Sequence, residues 1–133
     1  MELVIGGYSA GKLNYALNKV GDTNYIILDE KSDISFGSGD DELKLYMEST
    51  VIVNHFHAVS KKMGIKNALE FVERVRAITK HLIIVSDEIG NGIIPLEKEN
   101  RDFRDEFGQA LIKIAKNSDS VERVICGIPQ KIK

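Results

Sequence analysis

The stretch Leu3-Val4-Ile5-Gly6-Gly7-Tyr8-Ser9-Ala10-Gly11-Lys12-Leu13 decides the fold. Three consecutive aliphatic residues with no polar alternation are the pattern of a strand buried on both faces. Gly6 to Lys12 fits G-x-x-x-x-G-K, and Asn14 to Val20 follows with helical spacing. A glycine loop between a buried strand and a helix N-terminus is an anion cradle, because successive backbone N–H groups and the helix dipole converge on one point. Gly6 and Gly11 allow close backbone approach. Lys12 is placed to reach the β and γ phosphates of a nucleotide. The nucleotide-binding candidates are therefore Gly6, Gly7, Tyr8, Ser9, Ala10, Gly11, Lys12 and Leu13. The position after the lysine normally holds Ser or Thr, whose hydroxyl ligates Mg²⁺. Leu13 has no atom that can do so.

Outward from this loop, short apolar runs alternate with helix-patterned segments. Tyr25–Leu28, Val51–Val53, Leu82–Val85 and Val121–Cys126 read as four further strands. Helices are expected at Leu43–Met47, Asn67–Lys80 and about Glu97–Lys116, the last with Phe103, Phe107, Ala110, Leu111, Ile114 and Ala115 as its buried stripe. Residues 31–42, polar and rich in Gly and Ser, read as a loop. Gly127-Ile128-Pro129 reads as a turn into a short tail. This alternation implies an α/β fold, a mostly parallel sheet with helices on both faces.

The chain of 133 residues is the length of one domain, taken as 1–133. With 18 Lys and Arg against 20 Asp and Glu, the net charge of −2 speaks against a nucleic-acid partner. One cysteine, Cys126, excludes an internal disulfide and a cysteine-based zinc site, and no metal site is expected. No apolar run approaches the roughly 18 residues needed to cross a bilayer, and the N-terminus has no basic segment before its apolar run. The expected setting is cytoplasmic and reduced.

The third strand ends in Asn54, where phosphate-loop proteins carry an Asp beside the metal. Both usual Mg²⁺ positions, 13 and 54, have lost their chemistry. His55 and His57 follow and are not expected to face one site together. His81 opens the fourth strand at the far edge and is structural. Asp29, Glu30, Asp87 and Glu88 end strands at the edge where open α/β sheets bind ligands. Asp29 and Glu30 are candidates for the lost acidic charge or solvated acids; of Asp87 and Glu88, Glu88 is a candidate to orient a water, a metal or a substrate hydroxyl, against the reading of a carboxylate that caps the glycine loop. Cys126 reads as a small buried hydrophobe.

Ser86-Asp87-Glu88-Ile89-Gly90-Asn91-Gly92-Ile93-Ile94-Pro95 is followed by Arg101, Phe103-Arg104-Asp105 and Gly108, and the chain closes on Gly127-Ile128-Pro129-Gln130-Lys131-Ile132-Lys133. With the glycine loop, this resembles the adenosylcobinamide kinase/adenosylcobinamide-phosphate guanylyltransferase family of cobalamin biosynthesis, most specifically over residues 82–133. The resemblance implies a RecA-like phosphate-loop fold and a homo-oligomer, often a trimer. It also implies phosphorylation of cobinamide by ATP or GTP, then guanylyl transfer through a histidine. It makes Lys12 and Glu88 the catalytic candidates, and Asn54, Gly90, Gly92, Arg101 and Arg104 the substrate or phosphate contacts. A surface Arg–Asp network explains the two arginines too. The departures are Ser9, Ala10, Leu13 and Asn54 in the motifs, a shortened segment between the second and third strands, and no histidine from Tyr25 to Val53. The expected protein is thus a divergent member that binds GTP or ATP, with Mg²⁺ in question and guanylyl transfer lost. The alternative is a non-catalytic module that binds nucleotide or corrinoid, or partners a full-length paralogue. A GMP-carrying role for His55 or His57 stays open.

Overall fold

The computed structural model describes residues 1–34, 39–89 and 96–133. β1 (Glu2–Gly6) is the centre of a six-stranded sheet. It lies between β4 (His81–Asp87) and β5 (Ser120–Ile125). β3 (Thr50–Val53) and β2 (Tyr25–Leu28) extend the sheet past β4, and β6 (Ile128–Lys131) closes the other edge. All neighbours are parallel except β5 and β6. The parallel order leaves β4 between β3 and the loop-bearing β1. The α/β class and the mostly parallel sheet are as the sequence implied.

The helices divide unequally between the two faces. Among the described residues, α1 (Lys12–Val20) alone covers one, where Ala16 and Val20 pack on Val4, Ile52, Ile83 and Val85. The other carries α2 (Asp40–Glu48), α3 (Phe56–Met63), α4 (Ile65–Ile78) and α5 (Lys98–Asn117). The main core lies there: Phe56, Phe71 and Phe107 are fully buried against Leu3, Val51, Val53, Leu82 and Ile84. The Phe56 and Phe107 rings sit 5.9 Å apart.

Four sequence expectations change. The helix expected at Leu43–Met47 begins at Asp40, because Asp40, Asp41 and Glu42 in its first turn favour the positive end of the helix dipole. This shortens the loop expected over 31–42, of which residues 35–38 lie outside the described set. α3 was not anticipated. The chain leaves β3 at His55, which takes a left-handed conformation (φ 50°), and Gly64 (φ 87°) then separates α3 from α4. The expected tail is β6, joined to β5 by Cys126 (φ 49°) and Gly127 (φ 76°). Two consecutive positive-φ residues are those of a type I′ hairpin turn. Cys126 is therefore exposed in a turn, not buried in a strand.

Candidate functional site

Loop 6–11 is anchored on both sides. The Gly6 carbonyl accepts the Glu88 N–H (3.0 Å), and the Ala10 carbonyl accepts the Gly127 N–H (2.8 Å). The β5–β6 hairpin is thus a buttress of the loop. Gly6 lies against the Val124 carbonyl, and Gly11 enters α1 with φ 87°. Gly7, Tyr8 and Ser9 form an exposed tip, Tyr8 at 89%. Lys12 turns back beneath them and is only 7% exposed. Its Nζ donates to the Gly7 carbonyl (2.5 Å) and pairs with Asp87 Oδ1 at 2.6 Å.

A cavity of about 620 Å³ opens over this floor. Loop residues Tyr8–Leu13 form one wall, and Asn54, His55, His57, Glu30 and Asp87 stand opposite. Leu13 serves the α1 packing face as well as the cavity wall. Asn54 is buried at the end of β3, its N–H donating to the Leu28 carbonyl (2.7 Å). A second cavity lies on the β5 side of the loop, with Gly7, Glu88, Arg123 and Cys126 in its wall. Asp87 lines both.

The two histidines share a site, which corrects the expectation that they would not; residues two apart line one face of a strand as well. β3 stops at Val53 and α3 starts at Phe56, and both rings line the cavity, with centroids 5.7 Å apart. His57 Nδ1 accepts the Asp87 backbone N–H (3.2 Å), so the ring proton sits on Nε2, 3.6 Å from Asp87 Oδ2. Burial holds the His57 pKa below the ordinary range, against the pull of Asp87. His55 Nδ1 lies 3.2 Å from Glu30 Oε2.

Other sequence candidates lie apart. Glu88 is gripped by Arg123, with Nε 2.9 Å from Oε1 and an Nη2 donor 3.0 Å from Oε2. It faces the second cavity, not Lys12. Arg101 donates to the Leu96 carbonyl (2.6 Å) and Arg104 sits 3.7 Å from Asp105; among the described residues, neither is in the walls of these two cavities. Gly90 and Gly92 lie outside the described residues. Asp29 closes a turn by accepting from the Lys31 and Ser32 backbone N–H groups, which hold its carboxyl below the usual range. His81 bonds Glu2 Oε1 (2.8 Å) at the opposite end of the sheet. Asp87 is the residue that the motif reading undervalued. Its signal was position: the last residue of the strand beside β1, in register with Gly6.

A central parallel strand, a G-x-x-x-x-G-K loop, a buried lysine at a helix N-terminus and an inserted β4 define a phosphate-loop protein of RecA-like type. The family model for cobinamide kinase/cobinamide phosphate guanyltransferase matches residues 41–132. The chain belongs to that family, which acts in cobalamin biosynthesis and binds nucleotides. The match begins beyond the loop, so the fold and loop geometry stand as independent support. No curated protein matches the chain. Among the described residues, no helix is long and apolar enough to cross a membrane.

Proposed function

We propose that this chain binds GTP or ATP by its phosphates over Gly6–Leu13 and transfers the terminal phosphoryl group to a cobinamide-like corrinoid hydroxyl, guanylyl transfer having been lost. The observation that carries this reading is the buried Lys12 at the floor of a cavity rimmed by exposed loop backbone. Lys12 and the loop N–H groups stabilise charge on the transferring phosphoryl group. Asn54 offers a neutral amide oxygen to the same cavity. Glu88, fixed by Arg123 in the second cavity, takes no part in this step.

Two observations support the loss of guanylyl transfer. No histidine occurs from Tyr25 to Val53. His57 has both ring nitrogens turned to Asp87 and offers no lone pair to a nucleotide.

Incubation of the protein with GTP, ATP and cobinamide, followed by intact mass and product analysis, tests the proposal. The expected result is phosphorylated corrinoid and an unmodified chain. A guanylyl adduct on His55 or His57 contradicts the loss of that half-reaction. Nucleotide binding with no product establishes instead the non-catalytic module, which Leu13 and Asn54 favour.

A further inference from the structure

We propose that Asp87 supplies the carboxylate through which a divalent cation joins the nucleotide, in place of the charge that Asn54 lacks. The inference rests on the nucleotide-site reading above and goes beyond it.

Among the described residues, no group of three or more His, Cys, Asp or Glu side chains could cage a metal ion. A nucleotide-bound Mg²⁺ needs no such cage, because phosphates and waters fill most of its octahedron and one or two carboxylates suffice. The donor set of the cavity meets that lower demand. Leu13 offers nothing and Asn54 only a neutral amide, whereas Asp87 presents a carboxylate beside the phosphate lysine. Glu30, the other acid of this wall, is engaged by His55 at its carboxylate and by Lys62 at its carbonyl (2.6 Å).

The place of Asp87 in the sheet is the stronger argument. β4 separates β3 from β1, so the end of β4 is one strand nearer the loop than Asn54. Asp87 pairs in register with Gly6, borders both cavities, and is aimed by Lys12 on one oxygen and His57 on the other. Without a cation this arrangement opposes function. The carboxylate occupies the ammonium that phosphates need and repels the phosphates themselves. A cation between Asp87 and the phosphates reverses the second effect and frees Lys12. The site then takes a nucleotide and a cation together.

The test is a calorimetric titration of the full chain with GTP, in Mg²⁺ and in EDTA, for wild type, Asp87→Asn and the double variant Asp87→Asn/Asn54→Asp. Wild type is expected to bind roughly tenfold tighter with Mg²⁺. Asp87→Asn should bind equally in both media, and more tightly than wild type in EDTA. The double variant should regain part of the Mg²⁺ effect, which a merely structural role for Asp87 does not explain. Thermal unfolding checks each variant, and Asp87→Glu retains the effect if Asp87→Asn does not fold. A full Mg²⁺ effect in Asp87→Asn, or none in wild type, overturns the proposal. Failure of wild type to bind GTP in either medium overturns the nucleotide-site reading, and this inference with it.

Discussion

Replacing Lys12 with Ala is expected to weaken GTP binding by about a hundredfold or more. A hydrogen bond from a charged donor contributes about 1.5–3 kcal/mol, and each 1.4 kcal/mol is about tenfold in affinity. Lys12 is worth the upper end, because it is buried beneath the loop and its loss uncovers a repulsive carboxylate. Asp87 then faces the phosphates with no ammonium beside it. The same change leaves the main core untouched, since Lys12 lies on the α1 side of the sheet. Titration calorimetry on the folded variant measures the effect; affinity within threefold of wild type would remove Lys12 from the site.

Gly6→Ala is the second large effect, and it reaches both stability and binding. A Cβ built on Gly6 meets the Val124 carbonyl oxygen at 2.5 Å and Lys12 Cδ at 3.3 Å. The first contact is with backbone in the neighbouring strand, which sits in register with β1 and cannot rotate away. Overpacking of this kind costs about 3 kcal/mol, or roughly 10 °C in Tm for a domain of this size. The second contact pushes on the lysine stem. Gly7→Ala is the control, because a Cβ there meets nothing within 4 Å. Thermal unfolding should separate the two variants by most of that interval, and equal Tm values would contradict the packing argument.

Much of the sheet was legible because its strands are aliphatic runs. Leu3–Ile5, Val51–Val53 and Leu82–Val85 announce burial on both faces with no partner needed to interpret them. The loop was legible for a related reason: G-x-x-x-x-G-K is local, and its neighbours in sequence are its neighbours in space. What escaped depended on contacts distant in sequence or on single backbone angles. β6 hangs on a turn at Cys126-Gly127, which lacks the Asn-Gly or Asp-Gly signature of such hairpins. α3 hangs on the left-handed His55, a conformation uncommon for a residue with a Cβ.

The site divides along the same line. The motif identified Lys12 and the loop, but not that His55 and His57 share the cavity, although residues two apart line one face of a strand. Glu88 stood out in the family motif, yet Arg123 holds it on the far side of the loop. Asp87, one residue before it, carries no motif weight. Only the strand order, which sets β4 beside β1, brings it to the lysine.

The central claim is that nucleotide phosphates sit over Gly6–Leu13. The most direct measurement is the backbone amide spectrum of the labelled protein during titration with GTP and Mg²⁺. The account predicts the largest shifts at residues 7–13, with Asp87 and His57 moving alongside them. A silent loop, with shifts gathered on the α4–α5 face around Leu69, Val72 and Ile114, would contradict it.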